Sequence, residues 1–256
     1  MLWREGRAVI ALSVNLNKVA TLRNARGGSE PSVLTAVTVA LDAGAPGITV
    51  HPRADERHIR RRDVIEVAEL LAARRAAGHP PAEYNIEGDP RPDLLRLVHE
   101  VRPEQCTLVP VTPGEITSQA GWAEGSQAST LPQVVRDLRQ AGIRVSLFID
   151  ATEAGVRLAA AVGADRVELY TEPFARAFEA GAAEAERSFG EFAAAAALAH
   201  SLGLGVNAGH DLDLDNLTLF RRLPHLDEVS IGHAIVSRAV FAGLESVVRE
   251  YLQVLG

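Results

Sequence analysis

The residues of this sequence best suited to proton transfer come at the ends of short apolar segments. His51, Glu87 and His210 are each the last residue of such a segment. Imidazole and carboxylate groups are the commonest general acids and bases in enzymes. A single histidine in such a place is usually a hydrogen-bonded structural residue. Three proton-transfer groups that converge on one edge of a sheet instead favour acid–base catalysis.

Glycine turns and arginines after these segments are suited to binding phosphate. The turns 207–210 and 231–234 each contain a glycine, which lets the backbone approach an anion closely. Arg23 and Arg26 follow the first segment and Arg53 follows the second, and guanidinium groups bind phosphate in bidentate fashion. If the arginines were not nearby, the two glycine turns could equally be interpreted as simple tight turns that bind no ligand. Together these features predict a site for phosphorylated ligands.

A metal centre is the main chemical alternative for the same residues. His51, Glu87, His210 and His233 include the side chains that bind a divalent ion. No His-x-His or His-Glu-x-x-His spacing supports such a site, so we expect no metal. Cys106 has no CxxC partner, and we expect a buried core thiol there rather than a nucleophile.

Eight short segments rich in Val, Ile and Leu predict the strands that carry these residues. They are Ala8–Leu16, Gly47–His51, Glu83–Glu87, Gln105–Pro110, Arg144–Asp150, Arg166–Thr171, Leu204–His210 and Glu228–His233. Near-continuous apolar runs are typical of strands buried on both faces in a parallel sheet.

Amphipathic segments of helical length alternate with the strands. They are Ser32–Ala43, Arg62–Ala77, Asp93–Val101, Leu131–Ala141, Glu153–Val162, Glu184–Leu202, Asp215–Arg222 and Ile235–Leu255. The alternation predicts right-handed βαβ units that close into one (β/α)8 TIM barrel. An open doubly wound sheet is the rival fold, but no glycine-rich dinucleotide loop follows the first strand. We also expect an extra short helix, Glu172–Ala183, after strand six.

Length and charge limit the domain organisation and the partners. The 256 residues fit a single barrel domain, 1–256. A net charge of −7 argues against nucleic acid or an anionic membrane as a partner. One cysteine permits no internal disulfide, and the apolar run 8–12 is too short for a signal-peptide core or membrane span. The sequence therefore predicts a soluble cytoplasmic protein.

Eight segments of the sequence resemble the signature segments of the pyridoxine 5'-phosphate synthase family. They are 15–17 (NLN), 20–27 (ATLRNARG), 47–53 (GITVHPR), 85–87 (NIE), 108–110 (LVP), 145–150 (VSLFID), 206–210 (VNAGH) and 231–234 (IGHA). They follow the family's order from the first strand to the last. The resemblance therefore covers nearly the whole chain.

This resemblance implies a reaction between two small phosphorylated substrates. The family condenses 3-amino-2-oxopropyl phosphate with 1-deoxy-D-xylulose 5-phosphate to pyridoxine 5'-phosphate, phosphate and water. It uses no metal and no organic cofactor. The resemblance also implies a homo-oligomer, an octamer built from dimers, in which the extra helix Glu172–Ala183 is a candidate contact.

The resemblance assigns roles to residues by their position in these segments. His51 and Glu87 match the general bases, and His210 matches the general acid and base at the amino ketone. Contacts to the amino-ketone phosphate or the product match Asn15, Arg26, Gly232 and His233; contacts to deoxyxylulose phosphate match Arg53, His58 and Thr117. Glu168 matches a further polar residue of the rim, and the segment 115–118 resembles a lid that excludes water.

Three candidate substrate-binding residues depart from the family pattern. Asn17 and Lys18 stand where the family usually has Asp and His, and Asp211 stands where it has Gly. The lid sequence Thr-Glu-Gly-Gly reads Ser-Gln-Ala-Gly at 118–121. The departures leave open another phosphosugar or amino-ketone enzyme on the same barrel, or a weakly catalytic paralogue. Retention of all three proton-transfer residues argues against the paralogue.

Overall fold

The computed structural model describes residues 3–4, 7–110, 120–123 and 125–256, and a closed barrel of parallel strands forms the centre of this part. Its strands are β1 (Ala11–Asn15), β2 (Gly47–Val50), β3 (Glu83–Gly88), β4 (Gln105–Leu108), β5 (Arg144–Ile149), β6 (Arg166–Tyr170), β7 (Gly205–Gly209) and β8 (Leu226–Ile231). Each strand pairs with the next one along the chain, and β8 pairs with β1 to close the barrel. The predicted (β/α)8 fold is therefore confirmed.

The helices of the described residues lie between the strands and after β8. They are α1 (Asn17–Asn24), α2 (Val33–Asp42), α3 (Arg61–Ala76), α4 (Pro92–Val101), α5 (Leu131–Gln140), α6 (Glu153–Val162), α7 (Glu172–Ala180), α8 (Ala182–Ser201), α9 (Leu217–Phe220), α10 (His233–Ala242) and α11 (Leu244–Leu255). A 3₁₀ helix (Ser126–Thr130) precedes α5, and Trp3–Arg4 pairs with Arg7–Ala8 in an antiparallel ribbon.

Local sequence signals set several helix boundaries. The hydroxyl of Ser32 accepts a hydrogen bond from the Thr35 N–H at the start of α2, at 3.2 Å. Thr152 caps α6 in the same way through the Gly155 N–H, at 3.1 Å. Gly163 ends α6 with φ +81°, a left-handed conformation that glycine adopts without strain. These caps confirm the predicted boundaries of α6.

Three helices differ from the prediction. Helix α1 begins right after β1 and was not predicted, because its many polar residues obscure the small buried face of Val19 and Ala20. The predicted helix Glu172–Ala183 ends at Ala180, and α8 begins directly after Gly181. The predicted helix Ile235–Leu255 is interrupted by Gly243, which separates α10 from α11.

The hydrophobic core lies outside the barrel, between the strands and the helices. Fully buried strand residues such as Leu12, Ile48 and Ile86 belong to it. Packing this layer is the main favourable contribution to the stability of the fold. No helix within the described residues has both the length and the apolar character needed to cross a membrane.

The inside of the barrel is polar, whereas such barrels are usually filled with branched aliphatic side chains. A ladder of hydrogen bonds joins the first four strands: Ser13 to Thr49 at 2.6 Å, Asn85 to Thr49 at 3.3 Å and Thr107 to Asn85 at 3.0 Å. Asn207 on β7 reaches Gln105 on β4 at 3.5 Å across the interior. The strands thus alternate between an apolar outer face and a polar inner face, which the prediction of near-continuous apolar strands overlooked.

Candidate active site

A cavity of about 290 Å³ opens where the carboxyl ends of the strands meet. Twelve of the predicted site residues line it: Asn15, Asn17, Lys18, His51, Arg53, His58, Glu87, Glu168, His210, Asp211, Gly232 and His233. Barrel enzymes build their active sites at this end because the strand ends and the loops after them converge there. The structure therefore brings the three predicted proton-transfer residues, His51, Glu87 and His210, to one cavity.

His51 and Glu87 form a close pair inside this cavity. His51 Nδ1 lies 3.8 Å from Glu87 Oε2, and each side chain is 8% exposed. Burial, with the neighbouring His58 and the positive charge of Arg53, holds the pKa of His51 well below its usual value. His51 Nε2 is buried and has no hydrogen-bond partner among the described residues. A neutral imidazole with one unsatisfied nitrogen can accept or donate a proton at that atom.

Burial acts on the carboxyl group of Glu87 in the opposite direction. Burial and, after it, the neighbouring Glu228 together raise the pKa of Glu87 to about 8. Hydrogen bonds from Ser230 and Asn15 oppose this rise. A carboxyl group with a pKa near the working pH is suited to general acid–base catalysis.

The end of β1 links these two residues through hydrogen bonds. Asn15 Nδ2 donates to Glu87 Oε2 at 3.3 Å, and Asn15 Oδ1 accepts from the Asn17 backbone N–H at 3.1 Å. Asn17 Oδ1 then accepts from the His51 backbone N–H at 2.8 Å. An asparagine supplies the same acceptor oxygen as the aspartate usual in the family. The departure at Asn17 therefore preserves a hydrogen bond that positions His51.

The backbone after β7 turns through two left-handed residues. His210 has φ +81° and Asp211 has φ +56°. The hydroxyl of Thr171 donates to the carbonyl of Gly209 at 2.7 Å and also to that of His210, which holds the turn. Aspartate tolerates the left-handed region better than most residues other than glycine and asparagine. Asp211 thus adopts the conformation that the family's glycine at this position favours.

The ring of His210 lies against two aromatic residues. Its centroid is 5.2 Å from that of Phe148 and 5.4 Å from that of Tyr170. Burial lowers the pKa of His210, while the charge of Asp211 raises it and that of Lys18 lowers it. His210 is therefore neutral near pH 7 and fixed in orientation, as an acid–base group must be.

Glu168 is a second buried carboxyl group that lines the cavity. Burial raises its pKa well above the usual value, and the charge of Glu87 raises it further. A Cβ atom at Gly209 would lie 2.5 Å from Glu168 Oε1, so glycine at 209 makes room for this carboxyl group. Burial therefore favours the protonated form of Glu168, which can donate a hydrogen bond into the cavity.

The N-terminus of α10 forms one wall of the cavity. Its first residues, His233 and Ala234, line the cavity together with the preceding Gly232. The free N–H groups and the dipole at a helix N-terminus attract anions. A Cβ atom at Gly232 would lie 2.9 Å from the carbonyl oxygen of Asn15, so glycine is needed where these segments approach. This wall has the form of a phosphate-binding site.

The prediction that both arginines after strand one contact phosphate is wrong for Arg23. Its guanidinium group is buried against Asp63, with Nη1–Oδ1 at 2.5 Å and Nη2–Oδ2 at 2.9 Å, and Nη2 also donates to the His58 carbonyl at 3.2 Å. Because 17–24 form a helix rather than a loop, Arg23 turns inward and supports the segment that carries His58. Arg23 thus has no role in the phosphate site.

Among the predicted site residues that the structure describes, one does not line the cavity. Arg26 is exposed in the turn after α1. Thr117, and the lid expected at 115–118, lie outside the described residues. The roles that the resemblance assigns to Arg26 and Thr117 stay predictions.

Two residues that sequence reasoning missed, Leu212 and Ser230, also line the cavity, as do Ile231 and Ala234 of the predicted turn 231–234. Ser230 Oγ donates to Glu87 Oε1 at 3.4 Å. The signal in the sequence was the polar pair Glu228 and Ser230, which are spaced two apart in β8 and therefore lie on the same face of the strand.

The described residues contain no cluster of three or more His, Cys, Asp or Glu side chains that could hold a metal ion. His51, Glu87, His210 and His233 line one cavity but do not form such a cluster. Cys106 is buried, as predicted, and burial raises the pKa of its thiol to about 12. A thiol in that state is a poor nucleophile.

Comparisons with known proteins agree with this geometry. Residues 12–256 match the family model for the pyridoxal phosphate biosynthesis protein PdxJ. The pyridoxine 5'-phosphate synthase of Leptospira biflexa serovar Patoc is 50% identical over 250 residues, which cover 95% of this chain and 96% of that protein. The synthase of Porphyromonas gingivalis is 51% identical over 244 residues, which cover 94% and 96%.

Solved structures with low sequence identity share the fold alone. A native KDPGal structure has a TM-score of 0.61 at 12% identity and covers 99% of this chain and 97% of its own. The 3-hexulose-6-phosphate synthase of Salmonella typhimurium has a TM-score of 0.59 at 14% identity and covers 96% and 98%.

Proposed function

The chain belongs to the pyridoxal phosphate biosynthesis protein PdxJ family, and we propose from this that it has pyridoxine 5'-phosphate synthase activity. It condenses 3-amino-2-oxopropyl phosphate with 1-deoxy-D-xylulose 5-phosphate to pyridoxine 5'-phosphate, phosphate and water. The observation that carries the proposal is the His51–Glu87 pair, 3.8 Å apart, in one cavity with His210 and the N-terminus of α10. Proton-transfer groups and an anion site are what this reaction requires of a protein.

Glu87 and His51 are proposed as the bases of the condensation. The amine of one substrate and the ketone of the other join with loss of water, and later steps remove protons from carbon. The ionised fraction of Glu87 grows as the pH approaches its pKa of about 8, so the group retains strong basicity near neutral pH. His51, held neutral, offers Nε2 as a second basic atom.

His210 is proposed as the acid and base at the amino ketone, across the cavity from this pair. It enters from the end of β7, whereas His51 and Glu87 come from β2 and β3. Groups on two sides of a bound substrate can add a proton to one atom while they remove one from another. Glu168, whose protonated form is favoured by burial, is proposed to donate a hydrogen bond to an oxygen that gains negative charge.

Two phosphate sites follow from the distribution of charge around the cavity. The N-terminus of α10, with Gly232 and His233, is proposed to bind the phosphate of the amino ketone. Arg53 and His58, at the end of β2, are proposed to bind deoxyxylulose phosphate. The predicted contacts are completed by Asn15 and Arg26 on the amino-ketone side and by Thr117 on the other.

Lys18 and Asp211 are further candidates for substrate contacts. Both line the cavity, and both act on His210 with opposite sign: Asp211 raises its pKa and Lys18 lowers it. The departures at these two positions therefore act on the pKa of His210 in opposite directions. We infer that the family's chemistry is retained despite them.

The last part of the proposal concerns the oligomeric state of the protein. From the family resemblance we infer a homo-octamer built from dimers, with each chain forming a single domain over 1–256. Helix α7 remains the candidate contact because it is the extra helix between β6 and its crossover helix α8. Light scattering of the purified protein tests this, and a monomeric mass at micromolar concentration contradicts it.

Formation of pyridoxine 5'-phosphate from the two named substrates tests the activity. The experiment incubates the purified chain with both substrates and follows the product by chromatography and mass, and phosphate by a colorimetric assay. We expect both products in equal amounts. Omission of either substrate should abolish both. A panel of related amino ketones and phosphosugars is assayed alongside. Faster turnover of one of these compounds would assign the enzyme to another reaction.

A further inference from the structure

The carboxyl group of Glu87 is held at both of its oxygens by uncharged side chains. Ser230 Oγ donates to Oε1 at 3.4 Å, and Asn15 Nδ2 donates to Oε2 at 3.3 Å. Oε2 is also the atom that lies 3.8 Å from His51 Nδ1. Two hydrogen bonds on different oxygens fix the rotation of the carboxyl plane, so that the same edge always faces His51.

Ser230 reaches Glu87 from a strand that does not neighbour it. Ser230 lies on β8 and Glu87 on β3, and β1 and β2 separate them in the closed barrel. Ser230 is 6% exposed and lines the same cavity. A glutamate side chain has several rotatable bonds, and a contact across the barrel restricts them in a way that neighbouring strands do not.

We propose that Ser230 is a positioning residue for Glu87, whose hydroxyl orients the carboxyl group toward His51. The role goes beyond the residues that the family resemblance assigns. The inference depends on the proposed function in one respect, namely that Glu87 acts as a base. Ser230 itself acts through Glu87 and is not proposed to touch a reacting atom.

Several titratable groups surround Glu87, and they determine what loss of the hydroxyl does. His51 faces it from the end of β2, Glu168 from β6 and Glu228 from β8, and Cys106 on the outer face of β4 interacts with it electrostatically. Burial and the charge of Glu228 raise the pKa of Glu87, and the hydrogen bonds from Ser230 and Asn15 lower it. Removal of the hydroxyl therefore moves this pKa further upward.

The test compares Ser230→Ala with a matched control, Ser13→Ala. Ser13 pairs in register with Ser230 on the adjacent strand, but its hydroxyl contacts Thr49 at 2.6 Å. In Ser230→Ala we expect the ascending limb of the kcat–pH profile to move up by about one pH unit, since one hydrogen bond is worth about 1 kcal/mol. At neutral pH kcat should then fall about tenfold with KM nearly unchanged. Ser13→Ala should keep the wild-type profile.

Ser230→Thr retains the hydroxyl and should restore most of the wild-type profile. A structural role for Ser230 would lower activity without moving the profile and would not distinguish Ala from Thr. An unshifted profile in Ser230→Ala, or an equal shift in Ser13→Ala, overturns the proposal.

A direct titration separates this inference from the proposed function. The carboxyl ¹³C signal of Glu87, assigned by its loss in Glu87→Gln, reports ionisation without any substrate. We expect it to titrate at higher pH in Ser230→Ala than in wild type. If the wild-type protein forms no pyridoxine 5'-phosphate, the function fails while this titration still decides the role of Ser230. An unchanged titration refutes that role even in an active enzyme.

Discussion

Asn17 Oδ1 accepts a hydrogen bond from the backbone N–H of His51 at 2.8 Å. This contact ties the first residue of α1 to the loop that carries a proposed base. Asn15, two residues earlier, holds Glu87. The segment 15–17, at the end of β1 and the start of α1, therefore positions both members of the His51–Glu87 pair. Neither asparagine is itself a proton-transfer group.

Asn17→Asp should keep activity within about threefold of wild type, because the carboxylate oxygen can accept the same hydrogen bond. Asn17→Ala leaves the His51 N–H without this partner, which costs about 1–3 kcal/mol where the group is buried. We expect kcat to fall about tenfold or more in the alanine variant. Steady-state kinetics of the two variants checks this. Equal loss in both would show that the amide nitrogen, not the oxygen, matters.

Glu87 should destabilise the fold as the pH rises. Its pKa is raised from 4.5 to about 8 in the folded chain, so its carboxyl group favours folding when protonated. That contribution is fully present below about pH 4.5 and is lost as the pH rises to about 8. Glu87→Gln keeps a neutral side chain at every pH. The variant should therefore melt at a higher temperature than wild type at pH 8.5, with little difference at pH 5.

Thermal unfolding by circular dichroism at the two pH values measures this effect. Glu168 and Glu228 titrate in both proteins, so the difference between the proteins reports mainly on Glu87. A wild-type advantage that grows with pH would contradict the raised pKa.

Arg23 and Arg26, three residues apart, should behave differently on substitution. Arg23→Ala leaves Asp63 buried without its partner, and breaking a buried pair in this way costs about 3–5 kcal/mol. We expect a large loss of stability in that variant. Arg26→Ala removes an exposed side chain and should leave the melting temperature unchanged while it raises KM for the amino ketone. Denaturant titration and kinetics of both variants test the distinction, and a stable Arg23→Ala would contradict it.

Activity should persist after exhaustive dialysis against EDTA. The sequence lacks metal-binding spacing, and the described residues form no cluster suited to a metal ion. Product formation before and after chelation is the measurement. Loss of activity that zinc or manganese restores would require a metal in the reaction.

The sequence predicted the barrel and the convergence of His51, Glu87 and His210 on one cavity, because both depend on local patterns. The apolar strand segments and the residues at their ends can be read directly, as for His51 and His210. The orientation of Arg23 could not, because it depends on a buried partner, Asp63, 40 positions away and on another helix. The hydroxyl of Ser230 was overlooked for a similar reason, since its partner Glu87 lies 143 positions earlier and across the barrel.

The structural effect of the departures from the family pattern also could not be predicted from the sequence. Sequence comparison describes Asn17 as a changed charge and Asp211 as a carboxylate near a phosphate site. In the fold, Asn17 keeps an acceptor oxygen and Asp211 occupies a left-handed backbone position. Neither the hydrogen bond nor the backbone angle is visible until the strand ends are brought together.

The turnover number of Glu87→Gln, measured beside wild type with the two named substrates, tests the central claim most directly. Glutamine keeps the size and much of the hydrogen bonding of Glu87 but cannot accept the proton. We predict that wild type forms pyridoxine 5'-phosphate and that kcat of the variant falls about 10²–10⁴-fold, with substrate binding retained. Near-normal turnover in the variant, in a protein that melts as predicted, would contradict the assignment of catalysis to the His51–Glu87 pair.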